Sequence, residues 1–208
     1  MQLFRLHPAI KPSKYGPVVS GKPVHLQQSD LDGACGPHCA IVALMILGLV
    51  HRDDLDTLPR SRKKRLTALW RRSERNYFRG TYPEQLRSVL APYGKELDCS
   101  IERDECVARV INVLHAAGLG IMNISNDDFN HWVLVVGSGG TEIRSRYRPA
   151  SLLILDPSHA TLPMTAWNAM LSVRSGHLER HTYNTADGRV RVNIDSFVSL
   201  RRINHGQN

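Results

Sequence analysis

A cysteine lies where a helix is expected to begin. Cys35 stands in the segment Ala-Cys-Gly-Pro at 34–37, and an apolar run from Ala40 to Val50 follows it. The free backbone N–H groups and the positive end of the dipole at a helix start stabilise a thiolate relative to a thiol. A thiolate at the end of a buried helix is a nucleophile on a rigid support. Cys35 is therefore a candidate catalytic nucleophile.

Thiol catalysis also needs a general base and a group that orients it. His131 begins the apolar, β-branched run 132–136, and Asp156 follows the apolar run 152–155 and precedes a proline. Both runs predict strands. If the two strands are antiparallel neighbours joined through 137–149, the histidine and the aspartate lie at the same edge of the sheet. The start of the nucleophile's helix can then dock beside them.

These residues, in this order along the chain, resemble the papain-like cysteine peptidases, and within them the small bacterial branch that includes the double-glycine leader peptidases. The resemblance covers most of the chain, and two further segments share it, Gly-Thr-Tyr-Pro-Glu-Gln-Leu at 80–86 and Ala-Gly-Leu-Gly-Ile-Met at 117–122. It implies that Cys35 is the nucleophile, His131 the base and Asp156 the orienting acid. It also implies a thiol hydrolase that cleaves a peptide or amide bond through a thioester, without a metal or organic cofactor.

The family's oxyanion hole usually includes a glutamine six positions before the cysteine, and here that position is Ser29. Gln28 needs one extra residue in the loop before Cys35, and Gln27 needs two. Neighbouring residues of an extended segment point to opposite sides, so only one of these amides can face the sulfur. We favour Gln28, because the loop 30–33 can take up one extra residue as a bulge. Gln27 is the alternative.

Two neighbours of the catalytic group are candidate cleft residues. Gly36 directly follows the nucleophile and Trp132 directly follows the base. Both are expected to line the substrate cleft, although a core position on its strand is the alternative for Trp132. His38, further along the helix, is expected outside the catalytic group.

The resemblance implies an α+β, papain-like fold, in which an N-terminal helical lobe carries the nucleophile on its first long helix and a C-terminal antiparallel β-sheet lobe carries the histidine and the aspartate. A helical half followed by strands is typical of that class. We expect a single domain over 1–208. In it, 1–25 wrap the surface as an arm, 26–118 form the helical lobe and 119–208 form the β lobe.

Apolar spacing gives more detail. One helix is predicted to open at 81–84 and to stop near Pro92. Two others are predicted to cover 105–117 and 165–173. Strands are predicted near 120–124, 131–137 and 152–155, and residues 186–188 are predicted to join two strands as a hairpin.

The cysteines bear on metal binding. Cys35, His38 and Cys39 are close in sequence, but no second pair of cysteines or histidines offers the remaining ligands of a closed tetrahedral site. We therefore expect no metal. Cys39 is expected in the core, and Cys99 and Cys106 are expected to be free thiols.

The compartment follows from the same residues. Four cysteines in 208 residues, without a signal peptide, predict a reducing, cytoplasmic location. Export without a cleavable signal stays open. The apolar run 40–50 ends in His-Arg-Asp-Asp, so it is too short to span a membrane and a soluble protein is expected.

Nine basic residues crowd the stretch 60–79, and the chain carries a net charge of +8. Such a stretch binds acidic proteins, anionic lipid or nucleic acid, or it is a solvated helix face whose apolar side packs on the core. No RNA- or DNA-binding motif accompanies it. We expect a peptide or protein substrate, with a preference for an acidic one, and nucleic acid is the less favoured partner.

Two other functions fit the same residues. A Cys, His and Asp set also serves deamidases and acyltransferases. A catalytically inactive relative would bind peptides as a module, and the displaced glutamine is the sequence feature that favours this alternative. The intact Cys, His and Asp set favours the enzyme.

Overall fold

The computed structural model describes residues 1–29, 31–173 and 180–203. The helices in this part of the chain are α1 Cys35–Ile46, α2 Lys64–Glu74, α3 Pro83–Leu90 and α4 Cys106–His115. The strands there are β1 Gln2–Leu6, β2 Lys11–Ser13, β3 Gly16–Val19, β4 Lys22–Pro23, β5 Leu97–Glu102, β6 Leu119–Ser125, β7 Asn130–Ile143, β8 Arg146–Leu155, β9 Ala169–Ser172, β10 His181–Thr185 and β11 Gly188–Arg202.

Six of the strands close into an antiparallel ring. They follow the order β7, β6, β11, β10, β9 and β8, and β8 pairs again with β7. The long strand β7 pairs with β6 through 130–135 and with β1 through 137–141. Strand β5 is added beside β11. The main body is therefore a closed six-stranded barrel with two extra strands, and β2, β3 and β4 form a small separate sheet.

The predicted papain-like α+β fold, with a helical lobe followed by a separate β-sheet lobe, is wrong. The two halves of the chain are not separate, because β1 from the predicted arm pairs with β7 and β5 from the predicted helical lobe pairs with β11. The strands do not form an open sheet either, because β8 pairs with both β7 and β9 and closes the ring. The helices α1, α2 and α3 share one apolar cluster with the outer face of the strands.

Alternate residues of the central strands face two apolar clusters. On β7, Val133 and Val135 join residues of β8, β9 and β10 in the cluster enclosed by the ring. Trp132, Leu134 and Val136 face the other way and join the cluster that contains α1, α2 and α3. A strand that is buried on both faces is expected to be apolar throughout, as the run 132–136 is. The helices therefore pack against one continuous surface of the strands. The assignment of 1–208 to a single domain stays a prediction.

The local predictions had mixed outcomes. The helices predicted after Cys35, near 81–92 and over 105–117 are present as α1, α3 and α4, and the 186–188 hairpin joins β10 to β11. The helix predicted over 165–173 is wrong, because strand β9 occupies that segment and lies between β8 and β10. No helix of the described ranges is both long and apolar enough to span a membrane.

Candidate active site

Helix α1 places Cys35 at its first residue. Every residue of α1 except His38 is buried, as expected for a helix that is apolar on all sides. Pro37 lies in the first turn, where a helix has no use for the missing N–H. The helix stops before Gly48, whose φ of 68° is the left-handed conformation that ends many helices. The Cys35 side chain thus sits at a fixed point, with 7% of the residue exposed.

Strands β7 and β8 bring His131 and Asp156 together. Leu134 pairs with Leu155 in antiparallel register, so the start of β7 meets the end of β8. The strand pairing predicted from the sequence is confirmed. His131 Nε2 lies 2.7 Å from Asp156 Oδ1, and the carboxylate side chain is almost completely buried.

Cys35, the third residue of the group, contacts strand β7 beside His131. The backbone N–H of Trp132 donates to Cys35 Sγ over 3.5 Å. The Cys35 side chain also lies close enough to the His131 ring to raise the pKa of the imidazole. Because Asp156 engages Nε2, Nδ1 is the ring nitrogen available to the sulfur. The structure therefore brings Cys35, His131 and Asp156 into one chain of contacts, and their catalytic roles stay a prediction.

The environment of His131 favours its protonated form. Burial lowers the pKa of the imidazole, but the hydrogen bonds and charges of Asp156 and Cys35 outweigh burial and raise that pKa from 6.5 to about 9. The pKa of the Asp156 carboxyl shifts in the direction that favours its charged form. Burial raises the pKa of its carboxyl, but the hydrogen bonds and the charge of His131 lower it below its usual range. At neutral pH an imidazolium therefore lies between a carboxylate and the thiol sulfur.

Two residues that the sequence did not reveal hold Asp156. The hydroxyl of Tyr183 donates to Asp156 Oδ2 over 2.5 Å. Asn168 clamps the main chain, because its Oδ1 accepts from the Asp156 N–H at 2.7 Å and its Nδ2 donates to the Asp156 carbonyl at 2.8 Å. The backbone N–H of Ser158 donates to Oδ1 at 2.8 Å. These contacts leave Oδ1 facing the imidazole.

No local sequence signal marks these partners. Asn168 and Tyr183 are 12 and 27 residues from Asp156 along the chain. Asn168 lies in the segment that apolar spacing assigned to a helix, and a tyrosine in an alternating strand is common. Only the closure of β8, β9 and β10 around Asp156 makes them neighbours.

The loop before α1 presents Gln28 to the same place. The backbone N–H of Gln28 donates to the carbonyl of Pro157 at 2.8 Å, which ties this loop to the residue after Asp156. Its side-chain Nε2 donates to the Asp32 carbonyl at 3.2 Å, and its Oε1 is buried without a hydrogen-bond partner within the described ranges. Gln28 lines the space around Cys35, whereas Gln27 is exposed.

Asp32 gives that loop its shape. Its carboxylate accepts from the backbone N–H of Ser29 and from that of Ala34, at 2.9 and 3.0 Å. Burial raises the pKa of this carboxyl, but these hydrogen bonds lower it below its usual range. The loop 30–33 is predicted to take up the extra residue before Cys35. Asp30 of this loop lies outside the described residues.

An open cleft of about 420 Å³ lies over the group. Its lining residues are Gln28, Gly33, Cys35, Arg79, Gly80, Thr81, Tyr82, Pro83, Asn123, Asn130, His131 and Trp132. Trp132 is at once a wall of the cleft and a core residue, because it is 2% exposed and its indole N–H donates to the Thr81 carbonyl at 2.7 Å. Trp132 thus fits both alternatives, the cleft-lining position and the core position on its strand.

Gly36 is placed differently from the prediction. It is buried under the segment that forms one wall, and it is not among the described residues that line the cleft. A Cβ at Gly36 would lie 3.0 Å from the Cβ and Oγ1 of Thr81. Glycine at this position therefore lets the segment 80–83 approach the start of α1 closely.

The remaining cysteines differ from Cys35. The Cys39 thiol points into the core and donates to the Trp132 carbonyl at 3.4 Å, and burial raises its pKa well above the usual value. Burial also raises the pKa of the thiol of Cys106, and that of Cys99 to about 11. His38 Nδ1 contacts the carbonyl of Ala34, the residue before α1, at 2.8 Å. Across the ranges 1–29, 31–173 and 180–203, no group of three or more His, Cys, Asp or Glu side chains is arranged to hold a metal ion.

Comparison with known proteins adds no relative to this picture. The sequence matches no known protein-family model, and no curated protein matches it significantly. The resemblance to papain-like cysteine peptidases therefore depends on the motif residues alone, and the chemistry of the site is argued from its geometry.

Proposed function

We propose that the protein is a cysteine hydrolase that cleaves a peptide or amide bond of a peptide or protein substrate. One observation carries the proposal: a cysteine and a histidine lie side by side in the lining of an open cleft, and a buried carboxylate contacts the histidine from behind. A buried histidine with a raised pKa next to a cysteine at a helix start is the arrangement that activates a thiol. A structural cysteine has no need of it.

The proposed reaction has two halves. The Cys35 sulfur attacks the carbonyl carbon of the scissile bond, and His131 donates its proton to the leaving nitrogen as the C–N bond breaks. The acyl group then remains on the sulfur as a thioester. In the second half His131 takes a proton from water, the hydroxide adds to the thioester carbonyl, and the carboxylic acid leaves while the sulfur regains its negative charge beside the imidazolium. Asp156 stabilises the imidazolium at the start and again when it re-forms, and it orients the neutral ring in between.

The oxyanion of each tetrahedral intermediate needs hydrogen-bond donors. The first N–H groups of a helix have no partner within the helix, so the backbone N–H of Cys35 is available beside its own sulfur. A glutamine amide has two N–H hydrogens, and the contact of Gln28 with the Asp32 carbonyl uses one of them. We assign the second to the oxyanion.

Selective alkylation tests the proposal without a known substrate. At neutral pH iodoacetamide should modify Cys35 at least about a hundred times faster than Cys39, Cys99 or Cys106, because thiolates are the reactive form and burial raises the pKa of the other three thiols. Peptide mass spectrometry after short exposures measures the four rates. A Cys35 rate similar to that of Cys99 would contradict the proposal and favour a binding module.

The two glutamines give a matched pair of variants. Gln28→Ala should lower turnover at saturating substrate about a hundredfold, which is the usual effect of removing one oxyanion donor. Gln27→Ala should have little effect, because that side chain is exposed and lies outside the lining of the cleft among the described residues. If both variants keep nearly full activity, Gln28 does not donate to the oxyanion and another group must do so.

A further inference from the structure

A basic groove runs along helix α2. Two adjoining pockets of about 500 and 300 Å³ lie on this side of the molecule and share Arg72 and Arg75. The basic residues of this α2 groove are Arg62, Lys64, Arg71, Arg72, Arg75 and Arg79. Helix α2 buries Leu66 and Leu69 on its opposite face, so the charged side chains point outward.

The charges of the groove are not neutralised by the fold. The neighbouring Lys63 and Arg65 form ion pairs with Asp54 and Glu96. Within the described part of the chain, none of the six groove residues forms an ion pair, and no Asp or Glu lines either pocket. Basic side chains that line an unpaired concave surface produce a positive potential that attracts anionic ligands.

The groove leads into the cleft that contains Cys35. Arg79 lines both the cleft and the smaller pocket of the groove, the one of about 300 Å³. The next four residues along the chain, 80–83, form a wall of the cleft. An extended ligand that passes over Cys35 can therefore continue past Arg79 into the groove.

We infer that the α2 groove binds an acidic segment of the polypeptide whose bond is cleaved over Cys35. The inference rests on the proposed hydrolase function and specifies its substrate class: a protein or peptide with a cluster of Asp or Glu residues a few positions from the scissile bond. Arginine favours this pairing because its planar guanidinium binds carboxylates through two parallel hydrogen bonds.

The lining favours a polypeptide over a nucleic acid. Proteins that bind single-stranded nucleic acid combine basic grooves with aromatic side chains on which the bases stack. Among the described residues that line the two pockets of the groove there is no aromatic side chain. The groove has the charges for either ligand but lacks the stacking surface that bases use.

Peptide binding tests the groove without turnover. On a Cys35→Ala background, a fluorescein-labelled hexaglutamate peptide should bind more tightly than hexaserine, and Arg71→Glu/Arg75→Glu should weaken its binding about tenfold or more at low salt. Arg146→Glu/Arg148→Glu is the matched control. It changes the charge equally at exposed positions near the β7–β8 turn, at the far end of this strand pair from His131, and should have little effect. An equal loss in both double variants, or no loss in either, would overturn the inference.

Cleavage measures the same preference in the active protein. Peptides that carry a block of Glu, Ser or Lys before or after the cleaved bond should show a preference of about tenfold in kcat/KM for Glu in at least one of these positions. Arg71→Glu/Arg75→Glu should lose that preference, whereas the control Arg146→Glu/Arg148→Glu should keep it. Equal cleavage of Glu and Ser peptides by the wild type would contradict the inference.

The two tests separate the groove from the hydrolase. If hexaglutamate binds in the groove but no peptide is cleaved, the proposed hydrolase fails and the acidic-peptide site remains. If peptides are cleaved with no acidic preference and hexaglutamate does not bind, the groove inference fails and the hydrolase remains. A single-stranded oligonucleotide of equal charge that binds at least about tenfold more tightly than hexaglutamate would overturn the inference in favour of nucleic acid.

Discussion

Cys35→Ala is expected to abolish hydrolysis, with a loss of about 10⁴-fold or more in kcat, because no other group at the site can form the thioester. The fold should persist. The side chain is small, and among the described residues its sulfur accepts one long backbone hydrogen bond, from Trp132. The measurement is the cleavage of a peptide library followed by mass spectrometry, together with the thermal melting of wild type and variant.

Cys99→Ala is the control for loss of a thiol. Cys99 lies on β5, partly exposed and outside the residues that line the cleft in the described ranges. This variant should cleave like wild type. Retained activity in Cys35→Ala would contradict the catalytic assignment, and an unfolded Cys35→Ala would point to a structural thiol.

His131→Ala should be nearly as severe, because it removes both the proton donor for the leaving nitrogen and the charge beside the sulfur. Asp156→Asn should cost less, about a hundredfold or below. The amide oxygen of Asn can still accept from His131, but its NH₂ group cannot accept from the Tyr183 hydroxyl, so the negative charge and the hydrogen bond donated by Tyr183 are lost while the contact with His131 remains. Steady-state rates of the two variants beside His115→Ala, an exposed histidine on α4, measure the difference. Asp156→Asn at full activity would contradict the orienting role.

The raised pKa of His131 gives the pH dependence its sign. The imidazolium is the proton donor, so wild-type turnover should fall as the pH rises through about 9. The same shift affects stability. A histidine whose pKa is 6.5 in the unfolded chain and about 9 in the folded chain stabilises the fold fully below pH 6.5, and this stabilisation is lost as the pH rises through about 9. His131→Ala should lack this alkaline change in melting temperature.

The candidate site could be located from the sequence because each of its three residues stands at the boundary of a strongly apolar element. The run of eleven apolar residues or glycine after Cys35 is long enough to indicate a buried helix, and the shorter apolar runs beside His131 and Asp156 indicate buried strands. If the segment 137–149 joins the two strands directly, they are antiparallel neighbours, and β7 and β8 are paired in this way. Local patterns therefore indicated the juxtaposition of His131 and Asp156 that the structure displays.

The arrangement of the strands could not be predicted in the same way. Closure of the barrel depends on β9, a four-residue strand inside the segment 165–173, whose apolar spacing predicts a helix. The two extra strands, β1 and β5, pair with strands more than 90 residues away. Strand pairing over such separations leaves no periodic signal along the chain. The resemblance to a two-lobed family suggested a wrong arrangement for the same reason, because it depended on the motifs and not on the segments between them.

The supporting residues were missed for a related physical reason. Tyr183 and Asn168 contact Asp156 because β9 and β10 pack around it. With the segment of β9 predicted as a helix, neither residue is expected near Asp156. Cys35, His131 and Asp156 could be singled out from the sequence, whereas the contacts that fix Asp156 appear only once the ring of strands is closed.

In the proposed mechanism Cys35 forms a thioester with the substrate acyl group. The most direct measurement is the intact mass of the protein after brief reaction with a peptide p-nitrophenyl ester and an acid quench. The wild type should gain the mass of one acyl group, located on Cys35 and removed by hydroxylamine, and Cys35→Ala should gain none. An acyl group on another residue, or an equal gain of mass in Cys35→Ala, would contradict the account.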